Sequence, residues 1–167
     1  MKTLILYDSI FGNTQQIAQA MGRSFDAAED VVTLRVSEVK LEQLMGLGLL
    51  IVGSPTRAFK PTPAVSSFLK RLPAGSNNGI KVAAFDTRIS VNETPSRVRV
   101  ILGLLVKIFG YAAKPIADGL TKKGGELVLP PEGFYVKDSE GPLQEGEPER
   151  AANWAKAIQK KVTIPPN

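Results

Sequence analysis

The chain of 167 residues contains no cysteine and no histidine. The first absence removes disulfides and thiolate chemistry. The second removes the commonest general base, the serine-protease type of triad and most transition-metal sites. Any reaction of this chain is therefore expected to lean on a bound cofactor. Long apolar runs are absent too. Nothing reaches the roughly 20 residues of a membrane-spanning helix, so no transmembrane segment is expected. The apolar run at the amino end stops at Asp8 with no small-residue cleavage site behind it. No signal peptide is expected, and a cytoplasmic location is the default.

What is present suits one domain with a sizeable core, since hydrophobic residues make up 43% of the chain. The formal net charge of +5 is unevenly spread. Residues 57–123 hold twelve basic and three acidic side chains, whereas residues 126–149 hold seven acids and one lysine. The bias is either ordinary solvated surface or a basic face for an anionic cofactor, an acidic partner protein or a membrane surface. Nucleic acid is not expected, because no recognition module or interleaved aromatic–basic pattern is present.

Strand and helix signals alternate along the chain. Short apolar runs at 3–6, 31–36, 47–52 and 81–85 read as buried strands, and a last strand at 126–129 and 133–136 is split around Pro130 and Pro131. Helical spacing marks 14–25, with Ile17, Ala18, Met21 and Phe25 on one face, and 62–72, with Val65, Phe68, Leu69 and Leu72. A turn or short helix is expected at 41–45, and a last helix at 149–161 with Trp154, Ile158 and Val162 on one face. The loop 138–146, rich in Gly and Glu, reads as the most mobile segment. Such alternation implies right-handed βαβ units: an α/β, three-layer, doubly wound sheet of five parallel strands in the order 2-1-3-4-5. Ligands of such sheets sit over the carboxyl ends of strands 1 and 3, where the chain reverses direction.

Three loops fall at that end. The first is Ser9-Ile10-Phe11-Gly12-Asn13-Thr14, which runs from strand 1 into the first helix. Free backbone N–H groups and the positive end of the helix dipole converge there, which makes an anion site, most often one for phosphate. The same loop also reads as an ordinary connection with a good N-cap. It is neither a Walker A loop nor G-x-G-x-x-G. The second loop is Gly53-Ser54-Pro55-Thr56-Arg57-Ala58-Phe59-Lys60, and the third is Asp86-Thr87-Arg88-Ile89-Ser90-Val91-Asn92.

A glycine-asparagine-threonine loop behind strand 1, with a Gly-Ser-Pro-Thr loop behind strand 3, resembles the flavodoxin family over nearly the whole chain. The resemblance implies non-covalently bound FMN and electron transfer between partner proteins, a reductase and an acceptor. It implies that Ser9, Gly12, Asn13 and Thr14 hold the FMN phosphate, with Ile10 and Phe11 in the same loop. It also implies that Ser54, Pro55, Thr56, Arg57, Ala58 and Phe59 line one side of the isoalloxazine ring, and Asp86, Thr87, Arg88, Ile89 and Ser90 the other. Phe59 either stacks on the ring or packs under its loop. The chain departs from the family in three respects. Family members usually have hydroxyl residues where Ile10 and Phe11 stand, aromatic residues in the second and third loops, and an acidic surface. Arg57, Lys60 and Arg88 near the ring would favour an anionic reduced flavin and raise its potential.

Residues 98–112 are apolar almost all round and are expected to form a helix, either deeply buried or offering a homodimer face or a hydrophobic partner surface, with monotopic membrane contact, helped by Lys107 and Lys114, as a minor alternative. Three functions are in play. The first is an FMN-binding electron carrier with no acid–base residue of its own. The second is an FMN-dependent NAD(P)H:quinone reductase, whose second loop Pro55-Thr56-Arg57 resembles. The third is a flavin-free regulatory or scaffolding domain of the same fold. A phosphoacceptor receiver domain fits poorly, since Gly53-Ser54 stands where its aspartate is needed.

Overall fold

The computed structural model describes residues 1–26, 30–90, 99, 100, 103, 104, 106 and 110–163. Its strands are β1 (Thr3–Tyr7), β2 (Val31–Arg35), β3 (Leu49–Pro55), β4 (Lys81–Ile89), β5 (Glu126–Leu127) and β6 (Glu132–Val136). Helices α1 (Asn13–Ser24), α2 (Pro63–Arg71), α3 (Ala113–Lys122) and α4 (Glu147–Thr163) are described from end to end, with a 3-10 turn at Leu41–Leu44. All strand pairs are parallel, in the order β2-β1-β3-β4-β5. This is the expected doubly wound order. The split last strand is present as well. β5 pairs with the start of β4 at Lys81 and Val82, and β6 with its end from Phe85 to Ile89.

The core lies on both faces of the sheet because side chains alternate along a strand. Leu4, Leu6, Leu50, Val52, Val82 and Ala84 meet Val65 and Phe68 of α2 and Ile116 and Leu120 of α3. The residues between them, Ile5, Leu49, Ile51, Ala83 and Phe85, meet Ile17 and Met21 of α1 and Ala155 and Ile158 of α4. Strands buried on both faces need unbroken apolar runs, which is why these read so plainly. Phe85, Phe134 and Trp154 form an edge-to-face trio with centroids 6.0–6.5 Å apart. Thr62 caps α2 by accepting from the Val65 N–H at 3.5 Å, and Pro63 occupies the first turn, where its missing donor costs nothing. Among the described residues no helix is long and apolar enough to cross a membrane.

Three expectations need correction. β3 and β4 run on to Pro55 and Ile89, so Gly53, Ser54 and Pro55, like Asp86, Thr87, Arg88 and Ile89, are strand residues rather than loop residues. The polarity of Asp86, Thr87 and Arg88 disguised a strand whose end forms part of a site. Helix α3 was not anticipated, because Pro115 and Gly119 interrupt its signal. The helix expected over 98–112 does not reach its end. Gly110 takes a left-handed φ of 71° and Ala112 is already the N-cap of α3. Residues 99, 100, 103, 104 and 106 of that stretch are helical, with Val100 and Leu104 exposed, while the rest of 98–109, like Val91 and Asn92, lies outside the described residues.

Candidate functional site

The sheet register levels the carboxyl ends of the central strands, with Tyr7 opposite Gly53 and Gly53 opposite Phe85. The segments that follow must therefore leave at one end of the sheet. Together they enclose a cavity of about 440 Å³, within the range of small-molecule sites, roughly 300–1,000 Å³. The first loop contributes Ser9, Ile10, Phe11, Asn13 and Thr14 to its walls, the second Pro55, Thr56, Arg57 and Ala58, and the end of β4 Thr87, Arg88 and Ile89. Gly12, Ser54, Phe59 and Asp86 do not line it. Val136 and Ser139, which the sequence did not flag, do.

At its floor stands the first turn of α1. Gly12 is the N-cap at φ 86°, a left-handed conformation that suits glycine, and no side chain caps the helix. The Ser9 hydroxyl oxygen accepts from the Gly12 N–H at 3.0 Å, which folds the loop back on itself. The N–H groups of Asn13, Thr14 and Gln15 precede the first helical donor, Gln16 N–H, and have no intrahelical partner. The buried hydroxyls of Thr14 and Thr87 share one hydrogen bond of 2.8 Å, joining the first loop to β4. One hydrogen suffices for that bond, so the second remains available to a ligand. The Asn13 amide donates to the Glu140 carbonyl at 2.9 Å, and Lys137 N–H donates to the Pro142 carbonyl. These contacts tie down the loop after β6, the segment read as most mobile. The Arg35 guanidinium donates to the Ser9 carbonyl and lies 3.7 Å from Asp8.

The second loop turns sharply. Arg57 and Lys60 exchange both backbone hydrogen bonds, each 3.0 Å long, while Ala58 and Phe59 between them adopt φ of 46° and 65°. Two positive values define a primed hairpin turn, where Asn-Gly is the usual pair. An L-residue with a Cβ costs about 1–2 kcal/mol in that region, so the tip of this loop is strained, as functional loops often are. The turn aims Phe59 at a second pocket, lined also by Thr56, Ala58, Arg88, Ile89, Val106 and Tyr111. Phe11 is the aromatic that lines the main cavity, with the Arg57 guanidinium 5.8 Å from its ring centroid.

Asp86 is fully buried and acts on its neighbours. Its carboxylate grips Arg88 at 2.5 and 2.7 Å and accepts from the Ala113 N–H at 2.8 Å, which fixes the first turn of α3. The Arg88 guanidinium also lies 3.7 Å from the Tyr111 ring centroid. Gly133 leaves the room it needs, since a Cβ there would collide with it. The two arginines of the cavity thus differ. Arg88 is matched by a buried carboxylate, while Arg57 has no carboxylate partner among the described residues. Of the cations expected to favour a reduced flavin, Arg57 and Lys60 keep their charge unmatched among the described residues, and of these two Arg57 lines the cavity.

Burial pushes the Asp86 carboxyl up from its ordinary value of 3.8, against the opposing pull of Arg88 and the Ala113 N–H. The folded state then holds this proton more tightly than the unfolded chain. Stability contributed by Asp86 is therefore greatest below pH 3.8 and declines as pH rises toward the raised value. Denaturant midpoints of wild type and Asp86→Asn, measured from acid pH to neutrality, check this. The wild-type advantage is expected to shrink with rising pH across that window and then level off. A difference that grows with pH would show a depressed value instead.

No curated protein sequence matches the chain. Solved structures do. A flavodoxin from the domain Archaea superposes with a TM-score of 0.74 at 22% identity, covering 98% of this chain and all of that one. Flavodoxin 2 from Bacillus cereus gives 0.68 at 25% identity, covering 96% and 99%. Rubredoxin oxygen:oxidoreductase from Desulfovibrio gigas gives 0.66 at 22%, with 98% of this chain matching 37% of that one. The sequence model described as Flavodoxin matches residues 5–154, so the chain belongs to the flavodoxin family.

Proposed function

We propose that the protein binds FMN in the 440 Å³ cavity and carries electrons between a reductase and an acceptor protein. One observation carries this reading. The uncapped first turn of α1 and the Thr14–Thr87 hydroxyl pair open into the same cavity as the strained second loop, and no carboxylate is among the described lining residues. That donor set suits a phosphate dianion at one end and a flat, weakly polar ring along the loops. Bound FMN supplies the electron chemistry. The N–H groups of Asn13, Thr14 and Gln15 and the hydroxyls of Ser9 and Thr14 hold the phosphate. Pro55, Thr56 and Ala58 wall one side of the ring, and Thr87 and Ile89 the other.

The test is the absorption spectrum of the purified protein, with FMN added if it emerges colourless. A flavin spectrum with one FMN per chain is expected. Thr14→Val, which removes one charge-assisted hydrogen bond, is expected to weaken FMN binding about tenfold or more. A protein that leaves the fluorescence of added FMN unquenched would reject the reading and favour a flavin-free scaffold. A second reading, NAD(P)H:quinone reductase, has one observation in its favour. A pocket of about 200 Å³ shares Thr56, Ala58, Arg88 and Ile89 with the main cavity and could seat a second ring. Rapid bleaching of the flavin by NADH or NADPH alone would select it.

A further inference from the structure

Three apolar side chains stand exposed on the rim of the cavity. Ile10 is 52% exposed, Phe11 45% and Ile89 37%, and each lines the cavity as well. In a small soluble domain such residues normally point inward, and three around one opening make a patch for contact. Two exposed cations, Arg57 and Lys60, sit at the base of the turn that forms one border of the opening. Neither has a carboxylate partner among the described residues. Internal ion pairs hold Arg35 to Asp8 and Arg88 to Asp86, so the charge left unmatched at this border is that of the turn. The opposite border, after β6, exposes Asp138 and Glu140 beside one cation, Lys137, and so stays net negative. The mouth therefore has an apolar centre, a positive side and a negative side. An apolar centre within a charged rim is how transient protein interfaces are built. Asymmetric charge fixes the orientation of the approaching partner.

We propose that this rim is the docking surface for a redox protein whose own contact patch is acidic where it meets Arg57 and Lys60. The proposal rests on the FMN reading and adds the class of partner. Ile10, Phe11 and Ile89 form the dry centre of the contact, directly over the cavity. Arg57 serves both sides of the mouth, since its guanidinium lies 5.8 Å from the Phe11 ring centroid and its charge faces outward. Lys60 lies outside the cavity lining and acts on the partner alone.

The test uses cytochrome c, a basic protein, as oxidant of the FMN-loaded, reduced protein. Each ferric haem takes one electron, so two haems are reduced as one flavin returns to its oxidised state and releases its protons to water. Repulsion at the rim is expected to make this reaction slow at low salt and about tenfold faster in several hundred millimolar NaCl. With hexacyanoferrate(III), a small anion, the salt response is expected to have the opposite sign. Lys60→Glu is expected to halve the salt slope for cytochrome c or better, and Arg57→Glu/Lys60→Glu to invert it. Phe11→Ser is expected to slow cytochrome c in high salt, where charge is screened, by more than it slows hexacyanoferrate(III). Wild-type protein that reacts with cytochrome c fastest at low salt, or a salt slope untouched by Lys60→Glu, would overturn the docking surface while FMN binding stands. A protein that takes up no FMN would overturn the reading beneath it, and this proposal with it.

Discussion

Replacing Asp86 by alanine is expected to cost the fold about 3–5 kcal/mol, the scale for breaking a buried ion pair by removing one partner. That is a large share of the roughly 5–15 kcal/mol that stabilises a typical domain. The carboxylate does three jobs from a position with no exposed surface. It neutralises Arg88, fixes that side chain over Tyr111, and satisfies the Ala113 N–H at the start of α3. Alanine leaves a guanidinium and a backbone donor without their acceptor in a place water reaches poorly. The freed Arg88 would also add a second unmatched cation to the cavity wall. Urea denaturation of wild type, Asp86→Ala, Arg88→Met and the double variant gives the coupling directly. The double variant is expected to recover most of the loss, because two matched apolar groups need no pairing. A single-variant cost below about 1 kcal/mol would show that the pair is held from elsewhere.

Gly53→Ala is expected to cost about 3 kcal/mol, at the upper end of the overpacking range. A Cβ on Gly53 would fall within the van der Waals envelope of the Phe85 ring. Phe85 cannot step aside, because Phe134 and Trp154 meet it edge-on at 6.0 and 6.5 Å. The strain would pass along β3 into Ser54 and Pro55, so FMN binding is expected to fall with stability. Pairing the change with Phe85→Leu makes room for the methyl group, and thermal melts of the two singles and the double should depart from additivity by more than 1 kcal/mol. Additive losses would mean that the backbone, rather than the ring, yields.

The strands and the first loop were legible in the sequence for a local reason. Strands such as 3–6 and 81–85, buried on both faces, are unbroken apolar runs, and Gly12-Asn13-Thr14 sits directly behind the first. What failed to show is what depends on distant partners. Asp86-Thr87-Arg88 looks like a polar loop until β6 is known to run beside it. Helix α3 carries Pro115 in its first turn, where the ring is tolerated, and Gly119 further on, and both weaken its periodicity. Ser139 and the Asn13–Glu140 contact join segments 127 positions apart, and no spacing rule reaches that far. The rule that ligands sit over strand ends reaches Val136 once it takes in the last strand as well as strands 1, 3 and 4.

The strand order also sets a timetable. β1 is the first strand made and lies between β2 and β3, so one of its edges stays unpaired until residue 55 has been synthesised. The aromatic trio waits longer still, for Trp154 to reach Phe85. Unpaired apolar strand edges are templates for mispairing between chains. The growing chain, rather than the finished surface, is thus the state most open to aggregation, and slower elongation or a chaperone acting on the first 90 residues would protect it most.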